Sequence, residues 1–201
     1  IEEILNAARG YIEKRKPEVT VFEGAATSDP LPVEPYTGIL KRAISFFGGQ
    51  EHGRFRFVTK FSDVDSLMNV LHNGHTRFRF SINAGRVIRQ FEHATPSLAE
   101  RLNSAKKVAT AGYPLGFLVA PIIAAEGWRE SYRELFEAAA VEFGDIPGLT
   151  FEFITHRFTK RAKNNILELF PNTGLDLDEE ARSFKYGQFG YGKYIYPKEL
   201  F

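Results

Sequence analysis

Apolar positions change period along the chain, and each change marks an element. In residues 2–16, Ile4, Leu5, Ala8, Tyr11 and Ile12 recur at helical spacing with Glu and Lys opposite them. That predicts an amphipathic helix, closed by Pro17. Residues 19–22 alternate and are β-branched, which predicts a strand. The small, polar run Glu23-Gly-Ala-Ala-Thr-Ser-Asp-Pro30 reads as a loop, and residues 36–47 as a helix closed by Gly48-Gly49. The pattern then repeats. Strands are predicted over 54–59, 76–81, 115–120 and 149–154. Helices are predicted over 63–71, 84–91, 97–111, 126–142 and 160–169. Ser62 is placed to cap the first of these and Asn73-Gly74 to stop it.

Strand and helix alternate about five times, at spacings of roughly 20 to 35 residues, which is the pattern of βα units around a parallel sheet. Residues 115–120, Leu-Gly-Phe-Leu-Val-Ala, are apolar on both faces, as a buried parallel strand is. The expected fold is α/β, one domain or most of one, reaching to about residue 170. An acidic segment follows at 176–180, then a tail over 181–196 rich in glycine and aromatics.

Composition narrows the function classes. The 201 residues are 43% hydrophobic and 14% aromatic, enough for a buried core and against disorder of the whole chain. Lys and Arg number 26 against 25 Asp and Glu, so a polybasic binder is excluded and any nucleic-acid contact must be a local patch. There is no cysteine, which excludes a disulfide framework, a thiolate zinc site and an iron–sulfur cluster held by this segment. No apolar run reaches the roughly 18 residues of a membrane span. The chain opens with Ile1 and its one methionine is Met68, so it reads as a piece of a longer protein.

In (β/α) architectures the working face lies at the C-terminal ends of the strands. The residues predicted there include Ser28, Lys60, Ser81, Asn83 and the pair Ala120-Pro121. Ser28, Lys60, Ser81 and Asn83 suit a polar ligand carrying a carboxylate, an amine and hydroxyls. Polar residues also stand at strand ends simply because loops begin there. The five histidines are isolated from one another, without metal-ligand spacing, and no phosphate loop is present.

Two segments suit nucleic acid. Residues 156–163 carry Arg157, Lys160, Arg161 and Lys163 and no acid. Two of these cations sit at a predicted helix start, where a bound phosphate would offset the dipole. In the tail, Phe184-Lys-Tyr-Gly-Gln-Phe-Gly-Tyr-Gly-Lys-Tyr-Ile-Tyr196 alternates rings with Gly and Lys, and such rings can stack on unpaired bases. From pattern alone, an edge hairpin whose tyrosines pack on the barrel is the plainer reading.

Several longer motifs carry a resemblance. They are Phe22-Glu-Gly-Ala-Ala-Thr-Ser-Asp29, Arg56-Phe-Val-Thr-Lys60, His72-Asn-Gly-His-Thr-Arg-Phe-Arg-Phe-Ser-Ile-Asn83, Leu115-Gly-Phe-Leu-Val-Ala-Pro121, Glu126-Gly-Trp128 and Thr150-Phe-Glu-Phe-Ile-Thr-His-Arg-Phe-Thr159. In this order, over nearly the whole chain, they resemble the spore photoproduct lyases. These are radical S-adenosylmethionine enzymes that repair a thymine dimer in DNA. The resemblance implies a partial (β/α)6 TIM-like barrel over 1–170 and a DNA-contacting C-terminal hairpin segment over 171–201. It implies a carbon–carbon lyase that cleaves S-adenosylmethionine to a radical at a [4Fe–4S] cluster, whose ligands are expected upstream of residue 1. This segment alone is then expected to be inactive. Ser28, Lys60, Ser81 and Ala120 match the family's S-adenosylmethionine contacts, and Gln188, Phe189 and Tyr191 fall on its DNA-wedging hairpin. The implied partner is DNA with a thymine photoproduct, and the implied setting is a monomer in the cytoplasm, away from membranes.

Three features depart from the family's pattern. The three-cysteine cluster motif is absent from these residues. Ala26 stands where lyases repairing spore DNA carry a hydrogen-donating cysteine. Gln188-Phe189 replaces an arginine–tyrosine pair at the hairpin tip. These departures leave two rival readings: the same radical chemistry on another substrate, or a nucleic-acid-binding module without catalysis.

Overall fold

The alternation of the chain becomes a five-stranded parallel sheet in the order β1-β2-β3-β4-β5, built from Thr20–Gly24, Gly53–Thr59, Thr76–Ile82, Leu115–Ile122 and Thr150–Thr155. The computed structural model describes residues 1–25, 27–187 and 190–201. Ala26, Gln188 and Phe189, three of the positions singled out above, lie outside the described residues. Helix α1 (Glu2–Arg15) precedes β1, and α2 (Glu34–Thr37), α3 (Ile39–Gly48), α4 (Gly85–Phe91), α5 (Leu98–Thr110) and α6 (Trp128–Phe143) lie between successive strands. Among the described residues no helix is long and apolar enough to cross a membrane.

Side-chain alternation divides each strand between two faces, and in β1 and β2 burial follows the same period. Phe55, Phe57, Phe78, Phe80, Phe117 and Val119 are buried. Their rings interlock with helix residues, Phe47 stacking on Phe55 at 5.3 Å and Phe117 meeting Phe143 edge-on at 5.1 Å. Each such ring contributes about 1.5–3 kcal/mol of burial. The intervening residues Glu23, Arg56, Arg79 and Glu152 occupy the other face.

That second face is concave. Arg79, on the central strand β3, pairs with Glu23 on β1 and, at 2.9 Å, with Glu152 on β5. In a flat sheet those outer strands would stand about 19 Å apart at ~4.8 Å per strand. One guanidinium joins their carboxylates because the sheet curls. Gly116 on β4 makes room, since a Cβ there would lie 3.2 Å from Arg79 Cγ and 2.6 Å from the Thr150 hydroxyl. The sheet is therefore a partial barrel, as expected.

Two predicted helices differ in the structure. The helix expected over 36–47 is broken at Gly38, which takes a φ of 60° and separates α2 from α3. The buried Glu34 carboxylate then caps α3, accepting from the Leu40 and Lys41 amides at 2.7 and 3.1 Å. The helix expected over 63–71 is only the 3-10 turn Asp65–Leu67. Val64 and Leu67 are fully buried, and the Ser104 and Tyr113 hydroxyls donate to the Ser62 and Leu67 carbonyls. Those tertiary partners take the carbonyls a helix would have used, in a segment whose Asp, Ser, Asn and Val residues are weak helix formers.

Beyond β5 the chain leaves the barrel. β6 (Arg157–Phe158) precedes α7 (Lys160–Leu169), and β7 (Ser183–Tyr186) and β8 (Gly192–Ile195) form the expected hairpin. The three strands make one antiparallel sheet in the order β6-β8-β7.

Candidate active site

The C-terminal ends of β1 to β4 meet at one end of the curled sheet, and polar groups fasten them together. Asp29, just past β1, accepts at Oδ2 from the Lys60 amide at 2.7 Å and the Thr59 hydroxyl at 3.0 Å. Its Oδ1 accepts from the Leu31 amide at 3.1 Å. The carboxylate therefore fixes the loop bearing exposed Ser28 against the tip of β2. Lys60 extends from that tip, its side chain about one-third exposed, and its ammonium lies 3.1 Å from Glu92 Oε2.

Glu92 leads inward. Its side chain is almost wholly covered, and the same oxygen receives Arg101 Nη2 at 2.7 Å. Arg101 has no exposure. Its other donors reach the Ser81 carbonyl, the Pro96 carbonyl and the Thr95 hydroxyl, each within 2.9–3.0 Å. Arg101 thus secures the tip of β3 from behind. Glu92 Oε1 is buried and has no partner. An unpaired carboxylate oxygen beside a lysine ammonium fits a ligand that brings both an ammonium and a carboxylate.

The tips of β3 and β4 are stapled separately. Asn83 donates to the Pro121 carbonyl at 2.8 Å and accepts from the Tyr132 hydroxyl at 2.7 Å. Burial pushes the Tyr132 phenol up to about 12, so it keeps the proton that it donates. Asn83 is therefore enclosed by the protein rather than held out to a ligand. Ser81 and Ala120 lie on adjacent strands, on the concave side by the strand alternation. Of the residues expected at this end, Ser28, Lys60, Ser81 and Ala120 are brought to one end of the sheet. Asp29 was expected at this end but given no role, and Glu92, Arg101 and Tyr132 were missed, because nothing in their local pattern separates them from loop and helix-surface residues.

The basic segment divides between two faces of the three-stranded sheet. Arg157, Lys185, Lys193 and Lys198 line a cavity of about 1030 Å³ between that sheet and β5, with Glu152 the one acid among its lining. Lys163 lies elsewhere, paired with Glu179 at 3.0 Å. Lys160 and Arg161 are exposed at the start of α7. Tyr191 is exposed, whereas Phe158, Tyr194 and Phe184 pack on one another at 5.3 Å spacings. Some aromatics of the tail therefore pack, but on one another within the three-stranded sheet rather than on the barrel. Lys185 and Lys193 are cross-strand partners, so alternation within the tail was the signal that could have placed them together.

Where this sheet joins the barrel, buried His156 lies beside buried Arg182. Arg182 donates to the His156 carbonyl at 3.2 Å and lies over the Tyr196 ring, 3.5 Å from its centroid. Burial, and then the Arg182 charge, pull the imidazole down to about 4, against a smaller opposing pull from Asp176. The folded form thus holds His156 neutral, while the unfolded chain protonates near pH 6.5. Stability present above that pH is lost as pH falls toward 4, by about 3 kcal/mol in all. Denaturation of wild type and His156→Gln across pH 7 to 4 measures this. The variant is expected to lack that part of the decline, and equal slopes would refute the burial of a neutral imidazole. Among the described residues no group of three or more His, Asp and Glu side chains is placed to hold a metal ion.

Comparison with known proteins decides the family. The family model described as spore photoproduct lyase matches residues 1–200. The chain belongs to the spore photoproduct lyase family. A spore photoproduct lyase of Clostridium acetobutylicum is 55% identical over 199 residues, and that of Bacillus subtilis is 53% identical over 201. Each comparison covers 99% of this chain and 59% of the relative, so the chain spans about three-fifths of the curated lyases that it matches. A solved spore photoproduct lyase complexed with a dinucleoside spore photoproduct superposes with a TM-score of 0.93 at 50% identity, over 98% of this chain and 59% of that one. A double mutant of such a lyase, with bound AdoMet and the dinucleoside photoproduct, gives 0.94 at 51% over the same shares. The motif resemblance and the partial-barrel fold expected from it are both borne out.

Proposed function

We propose that these residues form the S-adenosylmethionine-binding and DNA-facing part of a radical carbon–carbon lyase that repairs spore photoproduct. The observation that carries the reading is the convergence of Ser28, Lys60, Ser81 and Ala120 at one sheet end, beside the unpaired buried oxygen of Glu92. Lys60 would hold the ligand's carboxylate or ribose oxygens, Glu92 its ammonium, Ser28 and Ser81 its polar atoms, and Ala120 its adenine. Bound there, S-adenosylmethionine supplies hydrogen-abstracting radical chemistry. The 201 residues offer no thiolate for a [4Fe–4S] cluster, so its ligands belong to residues outside them. DNA as substrate implies a cytoplasmic setting.

DNA would run along the cavity face of the three-stranded sheet, where Arg157, Lys185, Lys193 and Lys198 meet phosphates. Lys160 and Arg161 extend this footprint, and Tyr191 is free to stack. Lys163 contributes less, because Glu179 already neutralises it. Ala26 favours a second reading within the family, in which hydrogen return to the product differs or the substrate does.

The test uses the whole protein, loaded with its cluster without oxygen, on an oligonucleotide carrying one spore photoproduct. Conversion to two thymines is expected. Cleavage of S-adenosylmethionine with the photoproduct untouched would transfer the chemistry to another substrate, and a protein without iron would be a binding module. On the same oligonucleotide, replacing Arg157, Lys185 and Lys193 by Gln is expected to flatten the plot of log affinity against log salt by about one unit per lost contact. Lys163→Gln is expected to leave the slope unchanged.

A further inference from the structure

The loop after β4 is held from three directions. The Ile122 carbonyl accepts the His156 amide at 2.8 Å. The Ile123 amide donates to the Tyr132 hydroxyl at 3.0 Å. The Ala124 amide donates to the Tyr196 hydroxyl at 3.0 Å. Tyr132 belongs to the barrel and also holds Asn83, so its bond staples the strand tips. Tyr196 comes from outside the barrel. It directly follows β8, the central strand of the sheet that carries Arg157, Lys185 and Lys193.

The Tyr196 side chain is built as a stiff connector. It is 7% exposed, its ring lies under the Arg182 guanidinium at 3.5 Å, and Phe201 packs on it at 5.7 Å. A phenol clamped this way cannot turn aside when its strand shifts. Any displacement of β8 must either move Ala124 with it or leave that amide without its acceptor. Ala124 lies four residues past Ala120. The β7–β8 hairpin of this sheet is lightly anchored, with every β7 residue exposed and none of the β8 residues fully buried. Holding the sheet still therefore orders the end of β4.

We propose that Tyr196 is a positioning residue that links occupancy of the three-stranded sheet by DNA to the S-adenosylmethionine end of β4, each ligand tightening the other's binding. This rests on the functional reading above for the identity of both ligands. With DNA holding the sheet, and through it the tie, the loop past Ala120 is ordered before S-adenosylmethionine arrives, and the ordering cost is met once for two ligands. Linkage requires the effect to be reciprocal.

The test measures S-adenosylmethionine affinity of the whole cluster-loaded protein, with and without the photoproduct oligonucleotide, in wild type and Tyr196→Phe. In wild type, DNA is expected to tighten S-adenosylmethionine at least about fivefold. In the variant that factor falls below about two, while the affinity for each ligand alone changes by less than about twofold. A wild-type factor near one, or an unchanged factor in the variant, overturns the inference. Failure of wild type to bind either ligand alone overturns instead the functional reading beneath it. Hydrogen exchange at the Ala124 amide gives a second readout in wild type that does not depend on the variant folding. DNA is expected to slow that exchange, and an unaltered rate would also overturn the link.

Discussion

Arg101→Met is expected to lower the free energy of unfolding by about 3–5 kcal/mol, the cost of breaking a buried pair from one side. The guanidinium has no exposure, and it serves Glu92, the Thr95 hydroxyl and the carbonyls of Ser81 and Pro96 together. A methionine fills much of the volume and satisfies none of these acceptors. Lys60 stays near Glu92, but it is partly in water and reaches neither carbonyl. Urea denaturation reads the effect as a lower midpoint with an unchanged slope. Adding Glu92→Gln to the variant is expected to return about 1–3 kcal/mol, because the uncompensated charge is then gone. A loss below about 1 kcal/mol for Arg101→Met would show that the network does not hold the tip of β3.

The second large effect is expected on ligand affinity rather than stability. Lys60→Met in the whole protein is expected to weaken S-adenosylmethionine at least tenfold, as losing a charge-assisted hydrogen bond of about 1.5–3 kcal/mol requires. The fold is expected to persist, since Glu92 keeps Arg101 and the Asp29 clamp on the tip of β2 uses the Lys60 backbone amide, not its side chain. Equilibrium binding and a thermal scan of the same sample separate the two quantities. Undiminished affinity would remove Lys60 from the site. A collapse in melting temperature would instead make it part of the structural network. Lys60 and Arg101 thus share one carboxylate, and on the proposed function they divide its work, the part-exposed cation serving the ligand and the buried one the strand.

The pH response of His156 belongs to a different part of the molecule from this network. Its neutral imidazole lies where the barrel hands over to the three-stranded sheet, next to Arg182 and the connector Tyr196. Acid therefore weakens the junction on which the proposed coupling depends. The tip of β3 is fastened instead by the Arg101 guanidinium, which keeps its charge across this range.

The succession of strands and helices was legible in the chain because apolar period is a local property. Phe55, Phe57, Phe78 and Phe80 alternate within their own segments, and their burial follows from that. The tips of those strands were legible too, and with them Ser28, Lys60, Ser81 and Ala120, since a parallel sheet brings all its strand ends to one side. Even the capping box that opens α5 at Ser97 and Glu100 is a short-range spelling. What the chain could not spell was pairing between distant charges. Glu92 has no local feature that selects Arg101 and Lys60 as its partners. Arg79 meets both Glu23 and Glu152 only after the sheet has curled. The run 156–163 looked like one basic surface, yet folding turns Arg157 toward Lys185 and Lys193 and gives Lys163 to Glu179. Local periodicity is set by backbone geometry over a few residues, so sequence carries it directly. The neighbours of a charge are set by how whole elements pack, and only the tertiary structure decides them.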